Sequence, residues 1–187
     1  MHMRQEAGGY SLYELIGTIG LVALVMSLGV PSFGRILAEH RLRVDVDTLF
    51  HSIHLARKES VMRRREVTLC PSPDGEHCVP GLDWSQGFVM FVNVDRDAPV
   101  ERDAEEPLLM RYVTNSHNQI VANRRTFSFR ATALRATNGT FILCDKARRG
   151  RARALIVSYT GRPRVTRVER DGKPRRCPDY VKLAPQF

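Results

Sequence analysis

Seven arginines and one lysine crowd the stretch KARRGRARALIVSYTGRPRVTR. Arginine presents a planar fork of donors that matches phosphate oxygens. Arg149, Arg151 and Arg153 alternate, so an extended segment would carry them on one side. Arg162 and Arg164 repeat that spacing around Pro163, after a turn at Gly161. Side chains two residues apart on a strand are about 6–7 Å apart, a spacing able to follow a phosphate backbone. Lys146, Arg148 and Arg167 lengthen the row. The rest of the chain lacks this bias: residues 1–145 hold 16 Lys and Arg against 17 Asp and Glu, whereas residues 146–187 hold 13 against 3. The net charge of +9 therefore resides in the last quarter, as a local polyanion-binding surface would require. Only Tyr159 and Tyr180 add aromatic rings nearby, which favours backbone contact with duplex over base stacking. No recognition helix is visible, so little sequence preference is expected.

A second chemical signal lies near the start, in AGGYSLYELIGTIGLVALVMSLGVPSF. No residue from Leu15 to Gly34 is charged. About 20 helical residues cross a hydrocarbon core roughly 30 Å thick, so the run is expected to span a membrane. A cleaved secretory signal would have a shorter apolar region followed by a small-residue cleavage site; here Gly8 and Gly9 precede the run instead. A carboxylate inside lipid costs about 2.5–3.5 kcal/mol on insertion scales and calls for a partner. Cleavage between Gly9 and Tyr10 would supply one, placing the new Tyr10 ammonium one turn before Glu14 of the same or a neighbouring chain.

Four cysteines, Cys70, Cys78, Cys144 and Cys177, lie beyond that span, in keeping with an oxidising compartment. Three complete pairings are possible. Cys70 and Cys78 bracket PSPDGEH and suit a local bridge, which would leave Cys144 with Cys177. The second bridge would tie the basic tail to a strand end and stabilise by about 3–4 kcal/mol on loop-entropy grounds. Zinc is disfavoured because no C-x-x-C occurs. His51 and His54 share a helix but make no metal site by themselves. Asp95, Asp97 and Asp103 invite a calcium reading. Counted from Asp95, however, Val100 occupies the position where the EF-hand loop needs glycine, although Glu106 falls on its twelfth. An acidic solvated turn is the better expectation. No phosphate-binding glycine loop, nucleophile–base arrangement or strong metal spacing is present, so no enzyme activity, metal or cofactor is expected.

The elements that must position these groups follow from periodicity. The chain has 187 residues, 43% of them hydrophobic, enough for one domain with an appendage. Leu42, Val46, Leu49, Ile53, Ala56 and Ser60 form a helical stripe, with Arg41, Arg43, Asp45, Asp47, Arg57, Lys58 and Glu59 assigned to the other faces. The helix should end near Arg65. EVTLC, GFVMFVN, LLMRYV, TFSFR, TFILC, ALIVSY and RVTRVE then read as strands, separated by turn clusters such as PSPDGEH, TNG and RDGKP. The expected class is α+β: a long N-terminal helix packed on a mostly antiparallel head. The expected boundaries are a leader over 1–9, a transmembrane helix over 10–34, an amphipathic helix over 35–65 and a head over 66–187.

GG-YSLYEL followed by an apolar helix resembles the class III signal of type IV pilins and pseudopilins. The resemblance implies that a prepilin peptidase cuts after Gly9 and methylates Tyr10, and that Glu14 serves assembly. Pro31 falls where such proteins place a helix-kinking proline. Tyr10 replaces the usual phenylalanine, and Tyr13 and Gly17 are less typical. Trp84 and Gly87, an aspartate-rich turn and Glu106-Pro107-Leu108-Leu109 resemble the FimT/GspH branch of minor pilins. Gly161, Arg162 and Arg164 match the G-R-x-R motif of FimT-type pilins that bind DNA in natural transformation. The implied partners are other pilins or pseudopilins, the peptidase, duplex DNA and the inner membrane. The implied location is a single-pass inner-membrane protein with a periplasmic head, later part of a fibre. A structural GspH-like pseudopilin of type II secretion, or a subunit priming pilus assembly, is the alternative.

Overall fold

The computed structural model describes residues 9, 11–97, 99–114, 117–131, 135–147, 152–167 and 177, without the side chains of 28 and 30–32. Two units are distinguished, residues 1–37 and residues 38–187. One helix, α1 (Leu12–Arg63), runs through both. Nine strands follow: β1 (Glu66–Pro71), β2 (Gly87–Asn93), β3 (Leu108–Val113), β4 (Asn118–Ala122), β5 (Phe127–Arg130), β6 (Arg135–Ala136), β7 (Gly139–Asp145), β8 (Arg153–Val157) and β9 (Pro163–Thr166). They form two sheets, ordered β3-β2-β1-β5-β6 and β4-β7-β8-β9. All pairings between strands are antiparallel.

The helical stripe is the face that packs. Leu42, Val46, Leu49, Ile53, Ala56 and Ser60 are all buried, and the five apolar ones join a core with Val67, Leu69, Phe88, Met90, Phe127, Phe141 and Leu155. Among the described residues every buried apolar side chain lies at or beyond Ala38, so the second unit carries the whole core. β1 and β2 are buried on both faces, which accounts for their nearly continuous apolar sequences. Their second face forms a smaller cluster of Cys70, Val89 and Phe91. The helix stops two residues earlier than expected. Arg64, at φ 53°, takes the left-handed conformation that commonly ends helices. Arg63 binds Glu59 one turn back at 2.6 Å.

Asp45 corrects the sequence assignment. The periodicity puts it on an outer face, yet it is fully buried. Its carboxylate accepts the Tyr112 hydroxyl at 2.8 Å and the Asn118 amide at 2.6 Å. Tyr112 belongs to β3 and Asn118 to β4, so one helix carboxylate ties α1 to both sheets. His51 and His54 are exposed and pack edgewise against Phe50.

The segment between β1 and β2 is closed by the Cys70–Cys78 disulfide. Within it Asp74 accepts the backbone N–H of Glu76 and His77, the Ser72 hydroxyl and the His77 ring. The His77 and Glu76 N–H bonds, reinforced by the two side chains, hold this exposed carboxyl well below the usual carboxylate range. A depressed folded pKa means that Asp74's contribution is present above its unfolded value of 3.8 and disappears only as pH falls through the lower folded value. Its carboxyl carbon NMR shift should therefore stay constant on acidification past 3.8; a midpoint near 3.8 would refute this loop geometry.

The acidic stretch after β2 is a loop between strands, as expected. The carboxylates of Asp95, Asp97 and Glu106 accept local donors. Asp97 accepts the Glu101 N–H at 2.7 Å and the Asn93 amide at 3.3 Å. Glu106, only 5% exposed, accepts the N–H groups of Val94 and Asp103. This explains the E-P-L-L segment in part: its glutamate closes the loop, and its leucines open β3.

Candidate functional site

The G-R-P-R residues form the end of the turn and the first half of β9 in the β8–β9 hairpin. Val157 pairs with Pro163 and Ile156 with Arg164. Between them, Gly161 N–H donates to the Ser158 carbonyl at 2.8 Å, and Ser158 N–H to the Arg162 carbonyl at 3.1 Å. Gly161 has φ +71°, the left-handed residue that a three-residue hairpin loop places after its turn. A Cβ there would also stand 3.1 Å from the Phe129 ring and from the Ala136 methyl. The Ser158 hydroxyl accepts the Arg162 N–H at 3.0 Å. The motif's glycine is thus a structural requirement that fixes where its two arginines emerge.

Strand alternation then separates the side chains. Pro163 is buried, while Arg162 and Arg164 are exposed. Among the described residues neither guanidinium pairs with a carboxylate. β9 is the last strand of its sheet. Arg167, just beyond it, and Lys146, after β7, are also exposed. Arg148, Arg149 and Arg151 lie outside the described residues.

Arg153 does not join this group. It opens β8, is 6% exposed, and donates to Glu39 of α1 at 3.0 Å, with its Nε unpartnered among the described residues. The alternation with Arg149 and Arg151 suggested an outward row, but this position of β8 points to the helix. Arg153 is a packing residue, not part of an outward arginine row. The Cys144–Cys177 disulfide is present, with Cα atoms 5.9 Å apart, and ties residue 177 to β7.

Sequence reasoning also missed a cation. The guanidinium of Arg135, in β6, lies over the Tyr159 ring at 5.7 Å from its centroid. Tyr159 is in the same turn as Gly161, and its carbonyl accepts the Ala136 N–H at 2.9 Å. Arg135 stands apart from the basic tail in sequence, so charge counting passed over it.

In the first unit, Ser11 and Glu14 form a reciprocal cap at the start of α1. Ser11 N–H donates to the Glu14 carboxylate at 3.0 Å, and Glu14 N–H to the Ser11 hydroxyl at 3.3 Å. Glu14 therefore has a local partner in the uncut chain. Tyr10 lies outside the described residues, as does the side chain of Pro31; Gly9 is described and exposed. Leu12, Ile16, Ile19, Leu21 and Val25 are exposed along the helix. Among the described residues, no helix is long and apolar enough to cross a membrane; the expected span includes the side chains of 28 and 30–32, which are not described.

The model of the family described as type II transport protein GspH matches residues 45–161. The chain belongs to the GspH family. It is accordingly a minor pilin or pseudopilin of the GspH/FimT class. The match takes in the packing stripe from Val46 onward and most of both sheets, and ends at the hairpin glycine, before Arg162. The fold resembles that of the type IV minor pilin FimU of Pseudomonas aeruginosa, at TM-score 0.51 and 20% identity over 68% of this chain and 89% of FimU. The minor pseudopilin EpsH of the Vibrio cholerae type 2 secretion system gives TM-score 0.49 and 8% identity over 67% of this chain and 96% of EpsH. Comparison with curated protein sequences gives no match. In this GspH-family protein, the helix-on-antiparallel-sheet fold and the pilin-class role agree with the sequence expectations.

Proposed function

We propose that this GspH-family chain is a minor type IV pilin that holds duplex DNA non-specifically through its C-terminal arginines, for DNA uptake. The observation that carries this reading is the pair Arg162 and Arg164, held outward from a terminal strand by a fixed turn and unpaired with acids among the described residues. Arg167 and Lys146 are exposed, and the surrounding tail carries the chain's whole charge excess. The reading includes processing at Gly9 and Tyr10, insertion through the apolar run, use of Glu14 in assembly, and a periplasmic head. Exposed Val44, Leu55, Val61 and Met62 on α1 suit packing against other pilins. A purely structural pseudopilin of type II secretion is the second reading, favoured by the family description.

Salt-dependent binding separates the two. The full-length chain in nonionic detergent should bind unrelated duplexes alike. Each phosphate contact should add about −0.9 to the slope of log affinity against log salt. Arg162→Gln with Arg164→Gln should weaken binding about tenfold, roughly 1.4 kcal/mol, and flatten the slope by about two contacts' worth. Unchanged affinity and slope in the double variant would remove these arginines from the interface, and absence of duplex binding would leave the structural reading.

A further inference from the structure

A cleft of about 320 Å³ opens where the edge of one sheet meets the hairpin of the other. Its walls include Ser128, Arg130, Arg135, Thr137, Asn138 and Tyr159. This volume falls within the range of small-molecule sites, about 300–1,000 Å³. Among the described residues no acidic side chain lines it. A narrower neighbouring recess adds Arg57 and Thr160 beside Arg130 and Arg135, again without an acid among the described residues.

The donors in the cleft are unequal. Arg130 is committed to Glu66 at 2.7 Å. Arg135 has no carboxylate partner among the described residues, and its contact is with the ring of Tyr159. Thr137 Oγ1 accepts the Ser128 N–H at 3.2 Å, which leaves its own proton available to donate. Tyr159 is 53% exposed, so much of its surface remains accessible to a planar group. Its position is set by backbone: its carbonyl bonds Ala136, and Gly161 of the same turn packs on Phe129 and Ala136. Aromatic ring, guanidinium without a carboxylate partner and hydroxyl donor thus meet in one concavity, and Tyr159 precedes Arg162 by three residues in the hairpin.

We infer that this cleft seats one unpaired nucleotide, with its base against Tyr159 and its phosphate on Arg135. The inference rests on the proposed DNA binding and deepens it: the hairpin arginines hold duplex backbone, and the cleft takes the first unpaired residue of a single-stranded end. A continuous duplex offers no free base to the ring, whereas an overhang does. Stacking of a base on an aromatic side chain strengthens single-strand binding, so a preference for overhangs of about tenfold is expected.

Fluorescence anisotropy of the full-length chain in nonionic detergent provides the test. The probes are a blunt duplex, the same duplex with a short single-stranded overhang, and that duplex with an abasic overhang. The ordinary overhang should bind about tenfold tighter than the other two. Tyr159→Leu should erase the preference while blunt-duplex affinity stays within about twofold, and Tyr159→Phe should restore it. Arg135→Gln should shrink the preference. Arg162→Gln with Arg164→Gln should weaken both the blunt and the overhanging duplex and keep their ratio. Equal binding of blunt and overhanging duplexes, equal binding of abasic and ordinary overhangs, or a preference that survives Tyr159→Leu would each overturn the inference and leave duplex binding standing. Binding of no DNA at all would overturn the parent reading together with this one.

Discussion

Gly87→Ala should destabilise the head by about 3–5 kcal/mol, a loss large enough to leave much of the chain unfolded. Gly87 opens β2 at φ +142°, a conformation that side-chain-bearing residues rarely adopt. The space is also occupied. A Cβ at this position would lie 2.4 Å from the Tyr112 carbonyl oxygen, 3.1 Å from that of Ser72 and 3.2 Å from the Val113 Cα. All three are backbone atoms of the segments that β2 joins, so no rotamer change can relieve the contact. Either β3 moves away, breaking the Gly87–Val113 register, or the hydrogen bond from Ser72 N–H to the Gly87 carbonyl is lost. Gly81 supplies the control. It has a similar φ of +144°, but its Cβ would meet nothing closer than the Asp83 nitrogen at 3.9 Å. Gly81→Ala should therefore show only the conformational cost, about 1–2 kcal/mol. Denaturant unfolding of residues 38–187, followed by circular dichroism, measures both. Equal losses in the two variants would show that the crowding at Gly87 is not what matters.

That contrast also shows what the sequence can convey about this fold. In the sequence Gly87 follows Trp84 in a W-x-x-G pattern, which does not show that the segments around Ser72, Tyr112 and Val113 converge on it. Local periodicity was readable: the stripe from Leu42 to Ser60 is buried as expected, and the seven strands inferred from β-branched and aromatic runs all exist. β4 escaped because its sequence, NQIVA, starts with two polar residues that are nevertheless buried, one of them serving Asp45. β6 escaped because two residues make no pattern. The candidate site divides in the same way. Arg162 and Arg164 were legible because strand alternation places them together. Arg153 was misassigned because alternation does not say which side faces the core, and its partner Glu39 is 114 residues away. Arg135 and Tyr159 meet only because β6 abuts the hairpin turn, a contact between sheets that no local pattern encodes.

Removing the Asp45 carboxylate should have an effect of similar size for an electrostatic reason. Asp45→Ala deletes the acceptor of the buried Asn118 amide and of the half-buried Tyr112 hydroxyl, and opens a small void at the junction of α1 with both sheets. Leaving a buried donor unsatisfied costs about 1–3 kcal/mol, and the half-buried hydroxyl and the void add to it, so a total loss of about 3–5 kcal/mol is expected. Asp45→Asn keeps the volume and part of the bonding and should lose less. The same carboxylate has a spectroscopic signature at the other end of the pH scale. Burial, then the hydrogen bond to Asp45 and its negative charge, push the Tyr112 hydroxyl from 10.0 to about 12. A raised folded pKa gives stability that is fully present below the unfolded value of 10.0 and drains away as pH rises through about 12, because the unfolded chain releases the proton first. In the wild-type head Tyr112 should ionise well after an ordinary exposed tyrosine, as read from tyrosinate absorbance. In Asp45→Asn its midpoint should fall toward 10.0 while staying above it, since burial persists. A midpoint unmoved by Asp45→Asn, or an Asp45→Ala head as stable as wild type, would mean that this carboxylate does not hold the helix to its sheets.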